Sequence, residues 1–310
     1  MMGQLVRDGL GNEFELRSLG GCPICRSSGS RLVGYRGGTR HRYGLGVTTP
    51  IVRCDGCGLL YPEPFPFPVD AQRLYGDPDK YFATHDPSAK IQSYRQIVAE
   101  LIADSGVERP SLLDVGSGRG EALHAAHDVG LTDVVGLELS TAMRDETQRR
   151  YGVDIRLQTV EEHAAGAGRT YDIFLLSAVL EHVYDPDSMI ASVAALSHPG
   201  SVVYVDVPQE PNLLTMVGNL PGRIRGTRTV YNLAPTFPPY HVFGFNPRSL
   251  TALLEKHGFT PFRWLKRAQL TIPPGRGLKD RAMATAAMQL HKLGNVTGLS
   301  TNMDVWARKR

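Results

Sequence analysis

From residue 111 onward, short apolar runs alternate with segments whose apolar residues recur at helical spacing. The runs predict strands and the spaced segments predict helices. In chain order these are strand 111–115, helix 120–129, strand 133–138, helix 141–151, strand 154–157, strand 172–176, helix 186–197, strand 201–207, helix 247–257, strand 259–266 and strand 302–308. Such alternation favours a parallel sheet with helices on both faces. We therefore expect an α/β fold with a doubly wound, mostly parallel, seven-stranded sheet.

The first predicted strand runs into a turn with three alternating glycines, Gly116, Gly118 and Gly120. Glycine lets a ligand approach the turn closely, and the free N–H groups that open the next helix favour an anionic or polar partner. The third glycine comes one residue too early for the dinucleotide fingerprint, which disfavours NAD. Asp114 precedes the first glycine, and Glu138 ends the next strand, where a carboxylate can accept hydrogen bonds from both hydroxyls of a ribose. The turn is a candidate cofactor site.

Several other polar positions also fall at the carboxyl ends of predicted strands, where the ligand of a parallel sheet binds. They are residues 158–161 and Ser177. A further helix, predicted over 89–105, precedes the first strand, and we expect it to cover the mouth of the cofactor site.

All four cysteines lie in two C-x-x-C pairs, Cys22/Cys25 and Cys54/Cys57. Four thiolates on two tight turns suit a closed tetrahedral zinc site, which leaves no open position for chemistry. The alternatives are a thioredoxin-like redox pair and two metal-free disulfides. A proline-rich segment, 62–68, follows, and we predict that it runs extended as a link without regular structure. The expected domains are therefore a zinc-ribbon-like module with this link over 1–68 and a larger domain over 69–310.

Net charge is unevenly distributed. Residues 221–310 carry 15 Lys/Arg and 3 Asp/Glu, whereas residues 1–220 carry 19 and 28. The basic part is either a solvated face or a site for phosphate, nucleic acid or a lipid surface. The first residues lack the apolar core of a signal peptide, and no apolar run reaches the length of a membrane helix. We expect a cytoplasmic protein.

The D-x-G-x-G-x-G pattern from Asp114, together with Glu138, resembles the class I S-adenosylmethionine-dependent methyltransferases. Segments 171–186 and 198–208 resemble the fourth- and fifth-strand motifs of their small-molecule members, and 302–309 resembles their last strand. The resemblance covers roughly residues 70–310. The cysteine module and the Gly-Leu-Leu-Tyr-Pro sequence that follows it resemble the N-terminal part of sugar and natural-product methyltransferases.

The resemblance implies that S-adenosylmethionine is the methyl donor and that this is a Rossmann-like fold. The implied donor-binding residues are Asp114, Gly116, Ser117, Gly118, Gly120, Glu138, Leu139, Val160, Glu161 and Ser177. Tyr81, in the pair Tyr81-Phe82, is a candidate to flank the donor, with core packing as the alternative.

Methyl transfer to a hydroxyl or a carbon acid also needs a base. Related sugar C-methyltransferases have a Glu-His-Leu-x-Tyr-Phe stretch after the fifth strand whose His acts on the substrate, and His241 matches that His. Tyr240 replaces the Glu, which puts the orienting role of that residue in question. His182 is the second candidate, although we interpret Glu181-His182 first as a helix-entry and cofactor-pocket element. Ubiquinone-type O-methyltransferases have a Glu-x-x-Glu-His set there that is linked to a divalent cation, but Ala178 stands at the first Glu position.

Residues 209–245 form a long insert that carries Arg223, Arg225 and Arg228, and we expect it to be a substrate lid. Arginines match pairs of phosphate oxygens, which points to a phosphorylated or nucleotide-linked acceptor. The expected function is methylation of a hydroxyl or carbon acid of a sugar, nucleotide sugar or related metabolite. The alternatives are an rRNA methyltransferase that holds RNA with the zinc module and the basic C-terminal part, and a non-catalytic S-adenosylmethionine-binding protein. A degenerate core would be expected to lose Asp114, a glycine of the turn or Glu138, and none is lost.

Overall fold

The computed structural model describes residues 4–36, 47–70, 74, 87–153, 155–166, 168–234, 240–267 and 278–310. Two small antiparallel sheets form the N-terminal part. Their strands are β1 (Gln4–Arg7), β2 (Glu13–Arg17), β3 (Ser30–Arg36), β4 (Thr49–Cys54), β5 (Leu60–Pro62) and β6 (Phe65–Pro68). The strand orders are β1-β2-β6 and β3-β4-β5. Cys54 ends β4, so one cysteine pair follows directly from the second sheet.

The larger part alternates helices and strands. Its elements are α1 (Pro87–Ser105), β7 (Leu112–Val115), α2 (Glu121–Asp128), β8 (Val134–Glu138), α3 (Thr141–Tyr151), β9 (Ile155–Leu157), α4 (Val160–Gly166), β10 (Tyr171–Ser177), α5 (Pro186–Ala195), β11 (Ser197–Pro208), α6 (Leu213–Ile224), α7 (Pro247–Lys256), β12 (Phe259–Arg267), α8 (Leu278–Thr297) and β13 (Asn302–Lys309).

The central sheet has the order β12-β13-β11-β10-β7-β8-β9. Strands β7 to β11 are parallel to one another, whereas β13 is antiparallel to both β11 and β12. The predicted seven-stranded, mostly parallel sheet is confirmed. Because all five parallel strands point the same way, their carboxyl ends meet at one edge of the sheet.

Two apolar cores cover the two faces of this sheet, since neighbouring residues of a strand point to opposite faces. Leu112 and Ile173 belong to the core beneath α1 and α2. Leu113 and Phe174 belong to the other core, which also includes N-terminal residues such as Phe14 and Phe65. The N-terminal sheets are therefore packed on the same core as the central sheet.

The prediction of an irregular proline-rich link is wrong. The segment is extended, as expected, but Phe65–Pro68 pairs with Phe14–Arg17 as a strand. Proline is tolerated there because β6 is an edge strand of its sheet. Phe65 is fully buried and its ring stacks on that of Phe243, with centroids 5.3 Å apart. The division of the chain near residue 68 stays a prediction.

Three helices were not expected from the pattern, namely α4, α6 and α8. In α6 the polar Asn219 is buried while the apolar Leu220 is exposed, and in α8 His291 is buried while Leu293 is exposed. Helix prediction relies on an apolar stripe that faces the core, and these two helices place apolar residues toward solvent instead. No described helix is long and apolar enough to cross a membrane.

Candidate active site

The glycine turn follows β7 and opens α2. Gly116, Gly118 and Gly120 all have left-handed backbones, with φ of 72°, 54° and 73°. A Cβ added to Gly116 would lie 2.7 Å from Cγ2 of Val179, and one added to Gly120 would lie 2.3 Å from Cγ2 of Thr147. Both conformation and close packing therefore require glycine at these two positions.

The Glu138 carboxylate lies against this turn. Its Oε2 accepts a hydrogen bond from the Gly118 N–H at 3.0 Å, and its Oε1 accepts from the N–H groups of Leu139 and Ser140 at 2.8 and 2.9 Å. The side chain is thus held in place by the backbone. A fixed carboxylate oxygen has further lone pairs, so it can still accept hydrogen bonds from ligand hydroxyls.

A cavity of about 340 Å³ lies at the carboxyl ends of β7, β8 and β10. This volume lies in the range of small-molecule sites. The residues predicted for the site that line it are Asp114, Gly116, Ser117, Gly118, Glu138, Leu139, Val160, Glu161, Ser177 and His182. Gly120 is not among its lining residues and instead packs behind the turn against Thr147. Tyr81 lies outside the described residues.

Lys90 and Tyr94 of α1 also line this cavity, as expected for a helix over its mouth. Their individual roles could not be predicted from the sequence, because their contact with β7 and β10 arises only in the tertiary structure. The Tyr94 hydroxyl lies 2.9 Å from that of Ser177, which donates to Asp206 at 3.0 Å. The helix is thereby joined to the ends of β10 and β11.

More carboxylates than cationic side chains line the cavity. Burial raises the pKa of Asp114 to about 7, an effect that Lys90 opposes and that Glu138 and Glu121 reinforce. Burial lowers the pKa of Lys90, but Tyr94 and the surrounding carboxylates outweigh it and leave that pKa above its ordinary value. One carboxylate oxygen of Asp114 is buried without a hydrogen-bond partner. A buried polar atom without a partner is unfavourable, so a cationic or hydrogen-bonding ligand would stabilise the site.

Beside this cavity, the side chains of Glu181, His182 and His241 converge, and one ligand-type atom from each lies within 4.8 Å of the others. The two imidazole centroids are 4.7 Å apart in an edge-to-face arrangement. Nδ1 of His182 lies 3.1 Å from the Tyr240 carbonyl, which can only accept, so we assign the proton to Nδ1 and the lone pair to Nε2. His182 is buried, whereas His241 is half-buried.

Burial keeps both imidazoles neutral. It lowers the pKa of His182 to about 4, and it lowers that of His241 well below the usual range, with His182 and Arg36 adding to the effect. Burial also raises the pKa of Glu181 well above its ordinary value. A neutral imidazole with a free lone pair can accept a proton.

Tyr240 has a different environment. Its hydroxyl donates a hydrogen bond to Asp8, and its ring packs edge-on against Phe14. It does not line the cavity, although its carbonyl orients His182. The neighbouring His241 carbonyl accepts a hydrogen bond from the buried Arg36 of β3. The N-terminal sheets therefore hold the histidine segment in position.

The four cysteines form one cluster, with all four Sγ atoms within 4.8 Å of one another. The Sγ atoms of Cys22 and Cys57 are 3.6 Å apart, and those of Cys25 and Cys54 are 3.4 Å apart. Because both distances are too long for a disulfide bond, all four cysteines are free thiols. A Cβ on Gly56 would lie 2.9 Å from the Cys25 sulfur, which explains the glycine in this knuckle. The donor set and its spacing fit a tetrahedral zinc ion, whose ligand sulfurs lie about 2.3 Å from the metal.

Within the insert, the arginines Arg223, Arg225 and Arg228 do not line the 340 Å³ cavity. Arg223 instead lines a separate cavity between α6 and the second N-terminal sheet. The insert also contacts that sheet through main-chain hydrogen bonds between Leu60 and Gly244 at 3.0 and 2.9 Å. Its predicted role as a lid stays a prediction.

Residues 85–262 match the model of a family described as the methyltransferase domain. The chain is 36% identical over 98 residues to a ubiquinone biosynthesis O-methyltransferase of Hahella chejuensis, covering 30% of this chain and 41% of that protein. It is 36% identical over 104 residues to the Citrobacter koseri enzyme of the same name, covering 32% and 43%. The chain thus aligns with less than half of the length of these curated relatives.

Among solved structures, a SAM-dependent methyltransferase from Archaeoglobus fulgidus superposes with a TM-score of 0.50 at 15% identity, covering 77% of this chain and 100% of that one. This similarity concerns the fold alone. The family match spans more than half of the chain and includes the glycine turn, Glu138 and the cavity around them. The chain therefore belongs to the methyltransferase domain family.

Proposed function

We propose that this enzyme methylates a hydroxyl or a carbon acid of a small molecule, with a sugar, nucleotide sugar or related metabolite as the acceptor class. The observation that carries the proposal is the neutral His182/His241 pair beside the donor cavity. An amine acceptor can lose its proton after methyl transfer, whereas a hydroxyl or a carbon acid needs a base during it. The resemblance of the cysteine module to that of sugar methyltransferases favours the sugar class.

We propose S-adenosylmethionine as the methyl donor, which supplies an electrophilic methyl group when it is bound. We infer that Glu138 accepts hydrogen bonds from the ribose hydroxyls, because its carboxylate is already fixed beside the glycine turn. The orphaned oxygen of Asp114 fits the ammonium group of the donor, and the Lys90 ammonium fits its carboxylate. The Asp114–ammonium pair and the Lys90–carboxylate pair each bring opposite charges together in a buried site, where such contacts are strongest.

Replacing Glu138 with alanine should weaken S-adenosylmethionine binding at least about tenfold, since charge-assisted hydrogen bonds contribute roughly 1.5–3 kcal/mol. Titration calorimetry measures the change. Glu108→Ala, at an exposed position outside the cavity, is the matched control. Wild-type affinity in Glu138→Ala, or preferential binding of NAD, would contradict the assignment.

Replacing Lys90 with glutamine should weaken binding of the donor by about tenfold but leave the affinity for 5′-methylthioadenosine, which lacks the amino-acid part, unchanged. Arg95→Gln is the control, because Arg95 lies on the same helix but pairs with Asp128 outside the cavity. An equal loss of affinity for both ligands would show that Lys90 stabilises the site rather than contacting the carboxylate.

We propose His241 as the base that takes the proton from the acceptor as the methyl group arrives. Its half-buried side chain is the more accessible of the two imidazoles, and it contacts His182, which lines the donor cavity. We propose no catalytic role for the hydroxyl of Tyr240, since Asp8 engages it.

The acceptor class is tested by incubating the enzyme with labelled S-adenosylmethionine and a panel of nucleotide sugars, glycolipids, phenols and RNA. Label transfer to a sugar-containing acceptor is the expected result. Transfer to RNA would favour the rRNA alternative, and transfer to a phenol would favour an acceptor like that of the ubiquinone enzymes. If donor binding is intact and no acceptor is labelled under conditions that support a known methyltransferase, the non-catalytic alternative gains support.

We also propose that Cys22, Cys25, Cys54 and Cys57 bind one structural zinc ion. Four protein thiolates complete a tetrahedral shell, so the ion would stabilise the fold without contacting substrate. The support is the convergence of the four sulfurs described above.

A further inference from the structure

Helix α6 presents an apolar face to solvent. Its residues Met216, Val217, Leu220 and Ile224 are exposed, with Leu220 at 51% and Ile224 at 77%. At about 100° per residue, these four positions fall within an arc of about 100°. Asn219, on another side of the helix, is only 3% exposed and donates a hydrogen bond to Asn232 at 2.9 Å. Helix α6 therefore exposes its apolar face and buries the polar Asn219, whereas an ordinary surface helix buries its apolar face.

The neighbouring α8 shows the same inversion. It packs against α6, and its exposed side chains include Met288, Leu293 and Val296, the last at 86% exposure. Its His291 is buried. Exposed apolar side chains thus occur on two helices that contact each other, and apolar patches mark interaction surfaces.

Three arginines without counter-charges lie at the C-terminal end of α6 and just beyond it. Arg223, Arg225 and Arg228 are exposed, and their side chains make no hydrogen bond or ion pair with any residue that the structure describes. The sequence contains no Asp or Glu between residues 211 and 254. An apolar helix face bordered by unpaired arginines is complementary to a surface with an apolar interior and anionic head groups.

A cavity of about 290 Å³ adjoins this face, and Met216 and Arg223 of α6 are among its lining residues. Arg31 of β3 and Arg53 of β4 line it from the opposite side, and no carboxylate lines it. Arg31 pairs with Asp55 at 3.1 Å, but the partly buried Arg53 makes no side-chain hydrogen bond within the described chain. Arg53 and Arg223 have no counter-charge among the described residues, so an anion between them would relieve their repulsion, and guanidinium donors match phosphate oxygens in pairs.

We propose that α6 docks the protein on an anionic membrane surface and that the cavity of Arg31, Arg53 and Arg223 takes the phosphate of a lipid head group. The outward apolar residues enter the boundary between head groups and acyl chains, and the arginines contact phosphates at the same depth. Membrane docking of this kind does not depend on which acceptor is methylated or on which residue is the base.

The test is sedimentation of the full chain with vesicles of phosphatidylcholine alone or mixed with phosphatidylglycerol. The protein should sediment with the mixed vesicles only. The double variant Leu220→Gln/Ile224→Gln should bind them at least about tenfold more weakly. Arg53→Gln should bind about fivefold more weakly, the usual contribution of one basic residue near such a surface. Unchanged affinity for S-adenosylmethionine verifies that each variant is folded.

The matched controls are Leu5→Gln/Leu10→Gln, which removes two similarly exposed leucines elsewhere, and Arg149→Gln, which removes an exposed arginine from α3. Both should sediment like the wild type. Four results would overturn the proposal: no binding to either vesicle type, an equal loss in the controls, binding of inorganic phosphate through Arg53 without vesicle binding, or a dimer in solution that the α6 double variant dissociates. The third result would assign the cavity to a soluble phosphorylated ligand, and the fourth would assign α6 to a contact between copies.

Discussion

Replacing His241 with asparagine should lower turnover by roughly 10²- to 10⁴-fold, the usual contribution of a positioned general base. Asparagine is close to histidine in size but cannot accept the acceptor's proton. Donor affinity should stay at the wild-type value, because His241 does not line the donor cavity. Turnover and S-adenosylmethionine affinity are therefore measured separately on the same preparation.

His182→Asn is the comparison variant. It removes the imidazole that packs against His241 and lines the donor cavity, so a smaller loss of turnover with some loss of donor affinity is expected. If His182→Asn abolishes turnover and His241→Asn leaves it intact, His182 is the base and the insert contributes at most a cover.

The pH dependence of turnover provides a check on the same assignment. Burial holds the pKa of His241 well below its ordinary value of about 6.5, so the imidazole stays neutral and able to accept a proton in mildly acidic solution. Turnover should fall on the acid side only below the ordinary pKa of histidine. An acid limb centred at or above pH 6.5 would show that a different group titrates.

Replacing Cys54 with alanine should unfold the N-terminal sheets, because structural zinc sites contribute roughly 10–16 kcal/mol and a small module has little core of its own. The wild-type protein should contain one zinc per chain by elemental analysis. Limited proteolysis should then cleave the variant, or chelated wild type, within residues 1–68. S-Adenosylmethionine affinity should persist, since none of the residues that line the donor cavity comes from these sheets.

Ser28→Ala, an exposed substitution beside the first cysteine pair, is the control and should retain both zinc and protease resistance. Freshly purified wild type without zinc would refute the metal site. Turnover should fall in Cys54→Ala even though donor binding persists, because Arg36 of β3 holds the main chain of His241.

The donor-binding part of the site could be predicted from the sequence because its residues lie in short, local motifs. The alternating glycines and the carboxylates at positions 114 and 138 lie at strand ends, and the order of elements brings those ends together. The role of Lys90 could not be predicted from the sequence, since a lysine near the start of a helix forms no recognisable motif until α1 is placed over β7. The sequence predicts His182 and His241 as two separate candidates. Their segments meet where His182 contacts Tyr240, which is 58 positions away in the chain, so only the tertiary structure brings the two histidines together.

The strand order also constrains how the chain can be assembled during synthesis. β12 is made before β13, yet among the described strands β12 pairs only with β13, which lies between it and β11. Until β13 has left the ribosome, the side of β11 that pairs with it is an open edge, along a stretch buried from Ser201 to Val207. Unpaired edges of apolar strands are templates for aggregation. A nascent chain stalled within α8 would therefore contain every strand of the donor cavity and still depend on chaperones to remain in solution.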